Sequence, residues 1–203
     1  MCLRSKRFFL FLIGILAYCV SNAQTLYWVG GSGNFNDPHH WSLAADGLPG
    51  TLIPNAGSNL VFPHTNLNTE LKVIFNASSE INSLSITTYD KIRFIHNVPG
   101  IRLRIRNGFE NISDNGNFNS EISFEFKNTP QAIPGVINTG SAALSADMII
   151  SSGNWKVIQI KLTEKSGLYV QKASVNFYKS VIDIGNLDLS DCYSLDFYHT
   201  ILK

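Results

Sequence analysis

Short runs in which apolar side chains alternate with polar ones constrain the fold of this 203-residue chain more than any other feature. Clear examples occupy residues 71–75, 92–95, 101–106 and 122–127. Their period of two is that of a β-strand with one buried face. Turn-forming Asn, Gly, Pro and Ser lie between the runs, and charged residues make up only 15% of the chain. We therefore predict an all-β protein with little helix.

The centres of successive strands recur about every 10 to 12 residues, from Val61 through Leu84 to Leu103. Such even spacing fits an antiparallel β-sandwich with hairpin turns. It equally fits a right-handed parallel β-helix, a solenoid whose coils each hold two or three short strands. The strands are short and numerous, and the same texture continues over 155–197, beginning with a strand over 155–162, although no exact internal repeat is visible. We predict the β-helix, with an N-terminal cap, and keep the sandwich as the alternative.

Residues 1–23, the leader, have the organisation of a secretory signal peptide. A cluster of three cations ends at Arg7, an apolar run follows over 8–20, and Ala23 closes a Ser-Asn-Ala cleavage site. This apolar run is shorter than the roughly 20 residues that a transmembrane helix needs. We predict that the leader is removed, that the mature chain has no membrane span, and that it is secreted or held on the outer cell surface.

Charge and cysteine content narrow the partners of the mature chain. The leader carries three of the 16 Lys and Arg and none of the 15 Asp and Glu, so 13 cations remain against 15 acids and the net charge becomes −2. Nucleic-acid-binding proteins need a basic surplus, and we expect no such partner. Cys2 and Cys19 also leave with the leader. Cys192 then stands alone, without an intramolecular disulfide.

Residues 27–62 are the densest part of the chain in Trp, Gly and Pro. A Trp-Val-Gly-Gly-Ser-Gly turn begins at Trp28, and an Asp-Pro-His-His-Trp-Ser segment begins at Asp37. This pattern resembles the module near the start of many large secreted or surface proteins of Bacteroidetes-type bacteria. Those proteins are adhesin-like and are exported by type IX secretion. The resemblance implies that residues 24–62 form an architectural unit, the cap module, and that β-helix coils follow over 63–203.

The same resemblance implies which residues of the cap module form the structural cap: Trp28, Gly30, Gly31, Gly33, Asp37 and Trp41. Proteins with such a module are usually much longer and end in a sorting domain. Because this chain stops in the apolar, strand-like stretch 197–203, we expect a fragment truncated at its C-terminus. In solution we expect a monomer or a part of a longer chain.

Other uses of these residues are less consistent with the sequence. The glycines lack the Gly-Lys-Ser/Thr ending of a phosphate-binding loop. Adjacent His39 and His40 point to opposite faces of an extended segment, so at most one could join Asp37 around a metal ion. Trp28 and Trp41 could stack on sugars, but burial over the first coil is the simpler interpretation. We predict neither metal nor cofactor.

One candidate binding site emerges from the strand at 101–106. Arg102, Arg104 and Arg106 stand on one face of it, opposite Ile101, Leu103 and Ile105. A plain solvated face is the simplest interpretation. The stripe could also hold an acidic polysaccharide or pair with acids of neighbouring coils. We name these three arginines as the candidate site and a polysaccharide or surface glycan as the candidate partner.

No catalytic residues are predicted, because no Ser-His-Asp order or acid cluster stands out. The acidic run around Asp183 and Asp188 lacks the spacing of a calcium loop. The sequence thus favours a secreted, non-enzymatic β-helix scaffold for adhesion or for matrix or glycan interaction. Two alternatives remain. A carbohydrate-active lyase or hydrolase would require Asp183, Asp188 and Arg104 to converge.

The second alternative is a carbohydrate-binding sandwich, which would expose aromatic side chains on one face. In that case Trp28, Trp41 and Trp155 should all face solvent.

Overall fold

A computed structural model of the chain describes residues 23–63, 70–88, 91–111, 118–128, 133–140, 143–144 and 146–203. These residues form β-strands and one 3-10 helix, Pro38–His40. In chain order the first ten strands are β1 Gln24–Trp28, β2 Gly33–Asn34, β3 Trp41–Ser42, β4 Ser58–Phe62, β5 Leu71–Phe75, β6 Ser79–Ile86, β7 Ile92–His96, β8 Arg102–Asn111, β9 Phe118–Ser120 and β10 Ser123–Lys127. The next ten are β11 Gly135–Asn138, β12 Ala143–Leu144, β13 Met148–Ile158, β14 Lys161–Leu162, β15 Gly167–Gln171, β16 Ala173–Tyr178, β17 Val181–Ile182, β18 Asn186–Asp191, β19 Ser194–Tyr198 and β20 Ile201–Leu202.

The strands stack as the coils of a parallel β-solenoid of about six turns. One side is a 12-stranded sheet whose main path runs β18-β15-β13-β10-β8-β6-β4-β1-β3. The other side consists of two four-stranded sheets, β2-β5-β7-β9 and β12-β14-β17-β20, and β9 lies beside β12. Every described strand pair is parallel except β1 with β3. The solenoid prediction is confirmed, and parallel pairing rules out the antiparallel sandwich.

Residues one coil apart in sequence are neighbours in space. Leu60 pairs with Leu84 in the first coils, and Phe177 pairs with Phe197 in the last ones. Each coil places one strand or strand pair on the long side and one short strand on the opposite side. The spacing that was predicted between successive strand centres therefore corresponds to half of the residues in one coil.

Alternation within the strands builds one continuous apolar core. In β8, Leu103 and Ile105 are fully buried, and the arginines that alternate with them, Arg102, Arg104 and Arg106, face outward. The core is rich in aromatic rings that contact one another; Phe94, for example, has its ring centroid 5.1–5.4 Å from those of Phe62, Phe75 and Phe118, in tilted and edge-to-face arrangements. The largest fully buried side chains are Trp28, Trp41, Trp155, Phe35, Phe62, Phe75, Phe94, Phe109, Phe118, Phe124, Phe126 and Phe177.

A recurring corner was not predicted. Gln159, Lys179 and His199 have φ of 52°, 49° and 51°, and each lies between a long-side strand and a short one, at the same place in three successive coils. The sequence predicted a single strand over 155–162; that prediction is wrong, because the left-handed conformation of Gln159 ends β13 and turns the chain into β14. The last three coils therefore turn from the long side to the short strand at equivalent positions.

The cap module is continuous with the solenoid. Strand β1 pairs in parallel with β4, and β2 pairs in parallel with β5, so the segment 24–62 supplies strands to both sides. Strand β3 runs antiparallel along the outer edge of β1, joining Trp28 to Trp41 in register. This short strand partly covers a sheet edge whose backbone groups would otherwise be unpaired.

Candidate functional site

The three predicted arginines lie on the outer surface of the long sheet. They occupy alternate positions of β8, whose intervening side chains enter the core. The parallel register sets β6 on one side of β8 and β10 on the other. Glu80 of β6 is the register partner of Arg104, and Glu125 of β10 is its partner on the opposite side. Arg104 therefore stands between two carboxylates.

Arg104 bridges three coils. Its Nη1 donates to Glu80 Oε2 at 3.2 Å, and its Nη2 donates to Glu125 Oε2 at 3.0 Å. Arg106 binds Glu80 through the other carboxylate oxygen, and Ser151 Oγ donates to Glu125 Oε1 at 3.0 Å. Two of the three arginines are thus paired with acids of neighbouring coils, which is one of the two uses expected from the sequence.

The network keeps both carboxylates ionised. Burial is the largest influence on the pKa of Glu125 and acts to raise it, but hydrogen bonds from Arg104 and Ser151 outweigh it, so the pKa lies below its ordinary value. The same balance holds for the pKa of Glu80, with hydrogen bonds from Arg106 and Arg104. The bond to Glu125 is also the main reason that the pKa of Arg104 is raised. A carboxyl held in this way is a poor proton donor near neutral pH.

Arg102 is placed differently from the other two arginines. Its backbone N–H donates to Ser78 Oγ at 3.0 Å, and its side chain is exposed. Within the described ranges no carboxylate forms an ion pair with it. A surface groove of about 480 Å³ lies alongside, lined by Ser78, Ser79, Glu80, Gly100, Arg102, Arg104 and Glu125.

The structure buries both tryptophans of the cap module completely. Trp41 Nε1 donates to the carbonyl of Phe35 at 2.7 Å, and Trp28 Nε1 donates to that of Gly31 at 3.2 Å. The two indoles meet edge to face, with centroids 5.1 Å apart, and Trp28 also stacks on Phe62 of the next coil. Trp155 is buried as well. Trp28, Trp41 and Trp155 therefore do not form the exposed face that the carbohydrate-binding alternative requires.

Asp37 has a structural role in the cap module. Its carboxylate caps the 3-10 helix by accepting the backbone N–H of His39 at 3.0 Å. That bond is the main reason that the pKa of Asp37 is lowered. His40 points away to stack on Trp28, with centroids 4.6 Å apart and planes within 5°. Nowhere among the described residues do three or more His, Cys, Asp or Glu side chains group as metal ligands would.

Two glycines of the cap module meet specific demands. Gly30 has φ of +83°, a conformation that favours glycine. At Gly33 a Cβ atom would lie 1.8 Å from His40 Nε2. The His40 ring cannot easily retreat, because it is stacked on Trp28. Gly31, in contrast, has no atom within 4 Å of the position of an added Cβ.

Replacing Gly33 with alanine is expected to destabilise the protein by about 1–3 kcal/mol, since the new methyl group displaces the His40 ring from Trp28. Gly31→Ala is the matched control, and we expect it to stay within about 0.5 kcal/mol of the parent. Urea unfolding monitored by tryptophan fluorescence measures both. If the two alanines proved equally harmless, the tight packing of His40 over Gly33 would be refuted.

The residues that the enzymatic alternative needs do not converge. Asp188 shares a register column with Arg104, but the partners Glu125, Ile149 and Tyr169 lie between them. Four strand spacings separate the two, or about 19 Å. Asp183 follows β17 in the smaller sheet on the other side. The requirement for these acids and Arg104 to meet in one groove is not fulfilled.

Sequence reasoning missed three residues of this face: Glu80, Glu125 and Lys127. Lys127 ends β10, two positions beyond Glu125, and is exposed. Glu80 precedes Arg104 and Glu125 follows it by one coil each, so the acids become its neighbours only when the coil length is known. One indication of this pairing was present in the sequence. The interval from Glu80 to Arg104 and the interval from Arg104 to Glu125 are each about twice the spacing between successive strand centres.

No helix within the described ranges combines the length and the apolar character needed to cross a membrane. Comparison of the chain with protein-family models, curated proteins and solved structures found no match.

Proposed function

We propose that the protein is a secreted, non-enzymatic scaffold on the outer cell surface, which uses the flat outer faces of a β-solenoid for adhesion or for interaction with a matrix or glycan. The observation that carries this proposal is the single apolar core running through every described coil. Because each coil is fixed by its neighbours, polar groups on the outer faces keep constant spacing. Such a surface suits repeated, geometric contacts with a partner.

Side-chain ladders on the outside support the same proposal. Asn82 Nδ2 donates to Asn59 Oδ1 at 2.6 Å, and Asn107 donates to Asn82 in turn. A second ladder joins Asn34, Asn76 and Asn97 on the opposite side. These amides bond to each other from coil to coil, so they stiffen the surface along the solenoid axis.

The electrostatics of the groove favour binding over catalysis. Glycoside hydrolysis uses one protonated carboxyl group as the acid, usually with a raised pKa. The two carboxylates in this groove have lowered pKa values and are engaged by arginine. The leader and the resemblance of the cap module to Bacteroidetes-type surface proteins support the location; residues 1–22 lie outside the described part of the chain.

The proposal is tested by expressing the tagged chain, joined at its C-terminus to a sorting domain from a Bacteroidetes-type host, in that host and treating intact cells with protease. We expect the protein to be digested on intact cells, whereas a variant lacking residues 2–23 stays protected inside. Displayed protein should increase attachment to an immobilised polysaccharide matrix without releasing new reducing ends. Intracellular retention of the parent would refute the location. Release of reducing ends that Glu125→Gln abolishes would instead establish an enzyme.

A further inference from the structure

Two cations flank the Arg104 network without an ion pair of their own among the described residues. Arg102 begins β8 and Lys127 ends β10, and both side chains are exposed. Across the described residues neither forms an ion pair with a carboxylate. Since Lys127 alternates with the buried Phe126 in the same strand as Glu125, it stands on the same outer surface as the arginines.

The face formed by Glu80, Arg102, Arg104, Arg106, Glu125 and Lys127 carries a positive surplus. Four cations stand against two carboxylates, which leaves two positive charges. Both carboxylates are already bound by Arg104 and Arg106, so they compete little for the other two cations. An arginine has five N–H donors, and the paired arginines keep some of them for an incoming anion.

The dimensions of the face favour an extended ligand. From Arg102 to the position of Arg106 the strand advances about 13 Å, and Lys127 lies level with Arg106 on the neighbouring strand, one position beyond the Ile105–Phe126 pair. A small anion would contact only one of the two unpaired cations. A polymer with repeated negative groups would contact both and pass over the groove, which Ser78 and Ser79 help to line.

We propose that this face binds a polyanionic glycan, with Arg102 and Lys127 contacting successive carboxylate or sulfate groups and Arg104 holding the surface between them. The inference rests on the proposed function and names the ligand class of its surface. Nucleic acid is a poorer fit, because single strands are held by bases stacking on aromatic side chains and the groove is lined by none.

Affinity electrophoresis of the full chain through gels containing polygalacturonate, dextran sulfate, neutral dextran or single-stranded DNA tests this proposal. The test variant is Arg102→Gln with Lys127→Gln. Its matched control is Lys161→Gln with Lys165→Gln, which removes the same charge from exposed sites beyond the face. Thermal unfolding of each variant establishes that the fold is retained.

We expect both acidic polysaccharides to retard the parent and neutral dextran not to. The test variant should lose affinity by about tenfold or more, since each charge-assisted hydrogen bond corresponds to roughly that factor, while the control changes less than about twofold. Free galacturonate should compete poorly against the polymer. Increasing salt should weaken binding.

Equal losses in both double variants would overturn the proposal, as would equal retardation by neutral dextran or no retardation by either acidic polymer. Retardation by single-stranded DNA that depends on the same two residues would replace the glycan with nucleic acid. Attachment of cells displaying the test variant separates the two proposals. If the test variant is displayed on the surface and cell attachment is undiminished, the scaffold proposal stands. The proposal that this face is its glycan-binding site is then rejected.

Discussion

Replacing Phe94 with alanine is expected to lower the free energy of unfolding by about 3–5 kcal/mol, because it removes a fully buried ring from the centre of the core. The ring contacts aromatic neighbours in the coils on both sides, among them Phe62 and Phe118. The cavity therefore interrupts the stacking between coils as well as the packing within one. Equilibrium unfolding in urea, followed by circular dichroism, measures the loss.

Phe197→Ala provides the matched control, since the same atoms are removed from a ring that is 39% exposed and stacks on Phe177. We expect less than half of the loss seen at Phe94. Equal losses at the two positions would contradict the placement of Phe94 in the core. Because stability in a solenoid spreads through neighbouring coils, a broadened transition for Phe94→Ala would also be informative.

Removing the Arg104 side chain is expected to cost about 2 kcal/mol in Arg104→Ala, less than the roughly 3–5 kcal/mol for breaking a fully buried pair. The side chain of Glu125 is only 10% exposed, and its carboxylate would lose its charged partner. The loss is smaller than for a fully buried pair because the Arg104 side chain is 38% exposed and water screens the interaction. Arg102→Ala, on the same face of the same strand, should change stability by less than about 0.5 kcal/mol.

The pH dependence distinguishes lost ion pairing from lost packing. The folded pKa values of Glu80 and Glu125 lie below the ordinary value of 4.5, so their contribution is fully present above that pH and is lost as pH falls through the folded values. The stability difference between the parent and Arg104→Ala should therefore be largest near neutral pH and shrink in acid. A difference of equal size in neutral and in strongly acidic buffer would show that Arg104 acts by packing alone.

The alternation of side chains predicted much of the local structure. The strand predicted over 71–75 has the bounds of β5, and those predicted at 92–95 and 122–127 match β7 and β10 to within one position at each end. Alternation reports which side chains face inward, and this depends only on near neighbours in sequence. It also predicted that the three arginines share the outer surface.

Pairing between coils was harder to predict, because many apolar residues are equivalent in the core and turns of unequal length set the register. The long-side interval is longer between Leu60 and Leu84 than between Val157 and Phe177. Without that register, Glu80 and Glu125 could not be assigned to Arg104. The constant repeat of the last coils was nevertheless present in the sequence, as in Leu162, Ile182 and Leu202.

The buried tryptophans show a similar limit. Their density in the cap module indicated an architectural role, but the contacts that specify them, such as the Trp41 bond to the Phe35 carbonyl, depend on how the chain turns between β2 and β3. Gly33 was predicted as part of a tight turn. In the structure its lack of a side chain makes room for His40, a reason that the local sequence does not contain.

An experimental density map of the full chain is the most direct test of the central claim that neighbouring coils align Arg104 with two acids and leave Arg102 and Lys127 unpaired on the surface. We predict parallel strands in the order β6-β8-β10, with the Arg104 guanidinium between Glu80 and Glu125. Antiparallel neighbours, or an Arg104 side chain in solvent with its two acids apart, would contradict this arrangement.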